Sequence, residues 1–199
     1  IGKPLTVKEK KVLEQWIKEG AVWADHWAYV DPVKNPLPKV ENKSWAKHWI
    51  DHFSLSHYER EEANPAPDAD PVTLIRRLHF DLTGLPPKSE TVHHFVQNPS
   101  PKAYSELVNQ LLESKHFGER MAIYWLDLVR YADTVGYHGD QPHNISPYRD
   151  WVINAFNQNM PFDQFTREQL AGDLLPGSTT QQKVASGYNR LLQTTHEGG

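Results

Sequence analysis

The stretch that decides the fold is residues 125–176, WLDLVRYADTVGYHGDQPHNISPYRDWVINAFNQNMPFDQFTREQLAGDLLP. This polar run sets acids, arginines, histidines and amides among aromatic residues. We expect its charged side chains to lie at or beside the core, and they are Asp127, Arg130, Asp133, Arg149, Asp150 and Asp173. Because unpaired charges at a core are costly, the polar run predicts either a buried charge network or a binding site.

Apolar residues recur at helical spacing along most of the chain. Tyr148, Trp151, Val152 and Phe156 share one face, and no stretch alternates with the period of two that a strand requires. The sequence therefore predicts an all-α fold, an irregular multi-helix bundle with a long proline-rich linker. The predicted helices cover 6–19, 43–57, 71–83, 89–97, a segment opening at 100–101, 117–132, a segment opening at 146–147, 163–174 and 180–193.

The composition excludes several classes of protein. The chain has 199 residues and a formal net charge of −4, which gives no basic surface for nucleic acid, and no window is apolar enough for a membrane span. Cysteine is absent, so disulfides, thiolate metal sites and a CxxCH haem attachment are excluded within these residues. No GxSxG, P-loop or dinucleotide fingerprint occurs. The chain begins at Ile1 and ends at Gly199, and we expect it to be a piece of a longer protein.

Several separated blocks occur together in one order. They are DPVTLIRRLHFDLTGLPP at 70–87, YSELVNQLLESKHFGERMAIYWLDLVRYADTVGY at 104–137, YRDWVINAFNQNMPFDQFTREQLAGDLLP at 148–176, and HEGG at 196–199. This series resembles the planctomycete cytochrome-associated domain PSCyt2, also called DUF1549, over residues 43–199. The opening GKPLTVKEKKVLEQWIKEGAVWADHW is similar to the final helix of the c-type cytochrome domain PSCyt1.

The resemblance implies an organisation. Residues 1–30 would be the end of a PSCyt1-like cytochrome domain, 31–42 a linker, and 43–199 a PSCyt2-like domain truncated at its C-terminus. It implies a periplasmic or otherwise exported protein, with haem c bound only upstream of this chain and a DUF1553-like domain downstream. These two domains of the same protein are the implied partners, and the family carries no established chemistry.

A charge network is predicted within the polar run. Asp127, Arg130 and Asp133 are spaced by three residues, which places them on one face of the predicted helix, where a guanidinium could bridge two carboxylates. Arg149 and Asp150, on the next predicted helix, are the natural partners of this group. A structural ion network and an active site both fit this pattern.

The loop from Asp133 to Asn144 is the best candidate for a ligand. Its candidate metal ligands are Asp133, His138, Asp140 and His143, and its glycines allow the turns that would make them converge. Ligation by the two aspartates favours calcium, and ligation by the two histidines favours zinc or iron. The spacing matches neither an EF-hand nor HExxH, so a loop without metal fits equally.

Two functions from different classes follow. The first is an accessory module of a cytochrome-associated protein, which docks a partner domain through Trp16, Trp23 and Trp27 and assists electron transfer or substrate binding. The second is a metal-dependent hydrolase or redox enzyme that acts on complex carbohydrate through the 133–144 loop. The sequence leaves open whether the chain is an enzyme.

Overall fold

The chain divides into two units, Ile1–Pro67 and Asp68–Gly199. The structure is a computed structural model, and it describes residues 4–135 and 141–191. Across these two ranges the regular elements are α-helices and 3₁₀ turns, with one isolated antiparallel bridge between Thr134 and Pro142. The predicted all-α fold is confirmed. Among the described residues, no helix combines the length and the apolar character that crossing a membrane requires.

The first unit begins with helix α1 (Val7–Lys18). Its start is a capping box: the Glu9 amide donates to the Thr6 hydroxyl at 3.3 Å, and the Thr6 amide donates to the Glu9 carboxylate at 2.7 Å. This pattern satisfies two amides that have no partner within the helix. The helix predicted from Thr6 to Glu19 is thereby confirmed.

The second helix of this unit, α2 (Trp49–Arg60), starts six residues later than predicted. The Asp51 carboxylate accepts from the amides of Lys47 and His48 at 2.8 and 2.7 Å. Because these two bonds hold the backbone of Lys47 and His48 in the capping position, they fix the start of the helix at Trp49. The prediction of a start near residue 43 was wrong.

Part of the predicted linker is held onto α2. The Glu59 carboxylate accepts from the amides of Glu41 and Asn42 at 2.9 and 3.3 Å, and the ring of Trp45 meets Tyr58 edge-on. The segment before α2 is therefore fixed by specific hydrogen bonds and ring contacts.

The second unit contains seven α-helices within its described residues. They are α3 (Pro71–Thr83), α4 (Ser89–Gln97), α5 (Pro101–Leu112), α6 (Lys115–Leu128), α7 (Ser146–Asn157), α8 (Phe162–Ala171) and α9 (Thr180–Ala185), with 3₁₀ turns at Gly172–Leu174 and Ser186–Arg190. Asp70 caps α3 by accepting two amides at 3.0 Å, as predicted. The predicted helix over 180–193 was wrong beyond Ala185, where the chain tightens into a 3₁₀ turn.

Two apolar clusters form the core of this second unit. One surrounds Ile75 of α3 and includes Phe95, Leu107 and Leu111. The other surrounds α7, whose buried residues are Tyr148, Trp151, Val152 and Ala155. Helix α6 contacts both α3 and α7, so it joins the two clusters.

Helices α6 and α7 cross at Gly118. Its amide donates to the side-chain oxygen of Asn157 at 2.7 Å. A Cβ at this position would overlap the backbone oxygen of Ile153 and lie 2.6 Å from the Asn157 side chain. The crossing therefore requires a residue without a side chain.

We expect Gly118→Ala to lower the free energy of unfolding by about 1–3 kcal/mol, because the added methyl group overpacks the helix crossing. Urea denaturation followed by circular dichroism measures this change. The matched control is Gly187→Ala, whose Cβ would meet Tyr148 at an ordinary 3.5 Å. Equal stability of the two variants would contradict the close approach of α6 and α7.

Candidate functional site

A hydrogen-bonded group of three side chains lies where α6, α7 and α8 meet. The Tyr148 hydroxyl donates to the side-chain oxygen of Gln169 at 2.6 Å. The Trp125 indole N–H donates to the same oxygen at 3.0 Å and to the Tyr148 hydroxyl at 3.1 Å. The Gln169 amide nitrogen donates to the Phe165 backbone oxygen at 3.1 Å. We call Trp125, Tyr148 and Gln169 the polar node.

A buried carboxylate lies one residue before Gln169. Glu168 is 5% exposed, and its Oε1 accepts from the side-chain amides of Gln164 and Gln182 at 3.0 and 3.1 Å. Two neutral donors thus satisfy this acid. The sequence analysis did not predict a buried Glu168. Gln164, four residues earlier, could have indicated one of its two hydrogen bonds, because residues at this spacing are neighbours on a helix. The bond from Gln182 of α9 could not be predicted from local spacing.

Apart from Glu168, the described charged residues of the polar run do not lie in the core. All six that the sequence placed there are exposed, namely Asp127, Arg130, Asp133, Arg149, Asp150 and Asp173. That prediction was wrong. Apolar and neutral polar side chains of the run fill the interior, and these six charged side chains stay in contact with water, because burying a charged group costs its hydration free energy.

Helix α6 ends at Leu128, four residues before the predicted end. Arg130 takes a left-handed backbone conformation, with φ 58°. The Tyr131 amide then bonds the Leu126 oxygen at 2.9 Å, and the Arg130 amide bonds the Asp127 oxygen at 3.0 Å. These two bonds form a Schellman motif, which ends the helix. Asp127, Arg130 and Asp133 therefore do not share one helical face.

The predicted partners of this group pair with each other. Arg149 and Asp150 form an ion pair at 3.1 Å, with 47% and 65% of their side chains exposed, so it contributes little to stability. Asp133 accepts from the Tyr131 hydroxyl at 2.8 Å. Burial and this hydrogen bond raise the pKa of Tyr131 to about 12.

Within the described residues no ion pair joins Asp127 to Arg130. A network of Asp127, Arg130, Arg149 and Asp150 therefore stays a prediction.

The two ends of the predicted ligand loop are paired. The His143 amide donates to the Asp133 backbone oxygen at 2.7 Å, and the Val135 amide donates to the Gln141 oxygen at 3.1 Å. The candidate ligands Asp133 and His143 therefore lie opposite each other at the base of the loop. His138 and Asp140 lie outside the described residues. In the part of the chain that is described, no group of three or more acids and histidines is placed to hold a metal.

The three tryptophans of the predicted docking surface differ in exposure. Trp23 and Trp27 are 82% and 81% exposed, whereas Trp16 is partly covered and its indole N–H donates to the Val22 backbone oxygen at 3.1 Å. Helix α1 has no buried residue. The apolar side chains of Val12, Leu13 and Ile17 on this helix are therefore exposed to solvent.

The first unit contains a groove that the sequence did not predict. The extended segment 33–37 borders a cavity of about 930 Å³ whose other wall carries Trp49 and Phe53 of α2. These two rings meet edge-on, with centroids 6.4 Å apart. The prolines in and beside this segment, Pro32, Pro36 and Pro38, predicted only a linker, because the packing of the segment against α2 depends on tertiary contacts.

The polar node predicts a pH dependence of stability. Burial raises the pKa of Tyr148 to about 12, so the folded state keeps its proton at a pH where the unfolded chain has lost it. Stability is therefore intact below about pH 10 and falls between about pH 10 and 12, by a total on the order of 2 kcal/mol. Urea unfolding across this range should show a shallower fall for Tyr148→Phe. An equal fall in both proteins would contradict the assignment.

Comparison of the chain with known protein families gives a match that includes the whole second unit. The model of one family, PSCyt2, described as "Protein of unknown function (DUF1549)", matches residues 49–199. Neither the curated proteins nor the solved structures that were compared with the chain gave a match. Because the matched region covers more than half of the residues, the chain belongs to the PSCyt2 (DUF1549) family.

Proposed function

We propose that this chain is a helical accessory module that docks a c-type cytochrome domain of an exported multidomain protein, and so assists electron transfer or substrate binding. The observation that carries the proposal is the exposure of residues 5–33, which we call the docking segment. Trp23, Trp27 and Tyr29 are each more than 80% exposed there. The rings of Trp27 and Tyr29 lie 5.4 and 6.0 Å from that of His26, and exposed apolar patches are typical of interaction sites.

The docking segment presents its tryptophans on a defined backbone. The bond from the Trp16 indole to the Val22 oxygen holds the turn after α1. His26 caps the 3₁₀ turn Trp27–Tyr29, with its ring 5.4 Å from that of Trp27. A surface that is ordered before binding loses less conformational entropy when a partner docks.

The charge of the docking segment favours an apolar contact. It carries four lysines against three glutamates and two aspartates, so it is nearly neutral. Steering by charge is therefore weak, and the affinity should depend on buried aromatic area. The resemblance of residues 2–27 to the final helix of a c-type cytochrome domain supports a haem domain as the partner.

We expect the double variant Trp23→Ser, Trp27→Ser to weaken this docking at least about tenfold, because buried tryptophans commonly contribute 2 kcal/mol or more each to an interface. The partner in the assay is a haem-loaded c-type cytochrome domain from a protein of the same family, shortened to end before its own final helix, because residues 2–27 resemble that helix. Isothermal titration calorimetry gives the dissociation constant, and co-elution in size exclusion is followed by the Soret absorbance.

The control for this experiment is Leu174→Ser, which removes a side chain of similar exposure, 78%, from the second unit. It should leave binding unchanged. Absence of binding by the unaltered chain, or equal binding by the double variant, would contradict the proposed docking.

The pairing of residues 133–135 with 141–143 supports a second candidate function, a metal-dependent hydrolase or redox enzyme that acts on complex carbohydrate. This pairing holds the backbones of Asp133 and His143 next to each other at the base of the loop. The sequence adds His138 and Asp140 as further candidate ligands. Calcium fits the two carboxylates, and zinc fits the two imidazoles. A bound ion would polarise a substrate oxygen or activate a water molecule.

If a metal binds, saturating calcium or zinc should stabilise the chain by about 2.7 kcal/mol at one hundred times the dissociation constant. Thermal unfolding with each chloride salt measures the shift. Asp133→Ala should abolish it, whereas Asp127→Ala, an exposed aspartate six residues earlier, should retain it. No shift with either ion in the unaltered chain would overturn the metal site.

A further inference from the structure

A cavity of about 300 Å³ opens in the second unit, where the end of α6 faces the 3₁₀ turn Ser186–Arg190. Aromatic side chains of Trp125 and Tyr188 line it, together with the aliphatic side chains of Val129 and Leu191. Its volume is at the lower end of the range of small-molecule sites, roughly 300–1,000 Å³. The cavity therefore suits a compact ligand with an apolar body.

One aromatic wall of this cavity is held rigidly. The Trp125 indole N–H makes its two hydrogen bonds within the polar node, to Tyr148 and Gln169. The Trp125 ring also packs edge-on against Phe165, with centroids 5.0 Å apart. A flat ligand could stack against this wall without any rearrangement of the protein.

Among the described residues that line the cavity, Arg130 is the one cation. Within the described part of the chain, no carboxylate lies at ion-pair distance from its guanidinium. The planar guanidinium matches a carboxylate through two parallel hydrogen bonds. A single arginine beside aliphatic walls favours a monoanion with an apolar body over inorganic phosphate.

The backbone at Arg130 is one that glycine adopts more easily. Its φ of 58° lies in the left-handed region, which residues with a Cβ rarely occupy. Ala21, Glu62 and Asn159 take the same conformation just after their helices, so the backbone at Arg130 is an ordinary helix end that glycine would also fit. A cation at the C-terminal end of a helix also interacts favourably with the helix dipole. The variant Arg130→Gly separates this role from ligand binding.

A polar group lies on the other side of the cavity. The Asn189 amide nitrogen donates to the backbone oxygens of Gln169 and Leu170 at 3.4 and 3.3 Å, which orients the side chain. The cavity thus combines a cation on one element with an oriented amide on another.

We propose that this cavity binds a small organic monocarboxylate with a flat apolar body. The body stacks between Trp125 and Tyr188, and the carboxylate accepts from the Arg130 guanidinium. The site belongs to the second unit and is independent of the docking segment.

Benzoate is the probe, and benzamide is its neutral counterpart of the same shape. Both are titrated into the full chain while amide and indole N–H signals are followed by NMR, with the Trp125 indole signal assigned by its loss in Trp125→Phe. We expect benzoate to shift the Trp125 and Asn189 signals and to bind at least tenfold more tightly than benzamide. Absent shifts, or equal affinities, would overturn the proposal.

Arg130→Gly is the decisive variant, because glycine removes the cation and suits the backbone. We expect its unfolding midpoint to stay unchanged or rise, while its affinity for benzoate falls at least tenfold, to that of benzamide. Arg190→Ala removes an exposed arginine from the adjacent 3₁₀ turn and should bind benzoate normally. Unchanged affinity in Arg130→Gly would assign Arg130 to the helix end alone and refute the site.

Discussion

The close contact of α6 with α7 is the constraint on which the rest of the second unit depends. Gly118 lets the two backbones approach, and Asn157 bonds across the gap. With the helices this close, Trp125 of α6 reaches Tyr148 of α7, and both reach Gln169 of α8. Helix α6 also contacts α3, so the same crossing connects the two apolar clusters.

The interior is stabilised by neutral hydrogen bonds because ions are costly there. In the polar node a hydroxyl, an indole and a carboxamide satisfy one another, and Glu168 is satisfied by two glutamine amides. The aspartates and arginines of the same run stay in water. The dense polarity of residues 125–176 therefore has two separate origins, a charged surface and a buried network in which one carboxylate, Glu168, bonds only neutral donors.

The two units differ in how they treat apolar surface. The second buries Tyr148, Trp151 and Phe165 around α7, whereas the first leaves α1 without a buried residue and exposes Trp23 and Trp27. An amphipathic helix is normally stabilised by covering its apolar face. This contrast is the physical basis for assigning docking to the first unit and small-ligand binding to the cavity beside Arg130.

The sequence by itself determined the helical class and several helix starts, since Thr6, Asp70 and Ser100 cap the helices that follow them through bonds spanning three residues or fewer. Local spacing also placed Tyr148, Trp151 and Val152 in the core. Only the tertiary structure decided that Gln182 reaches Glu168 and that Asp133 lies opposite His143. These outcomes depend on packing and on contacts between residues distant in sequence, which no local pattern encodes.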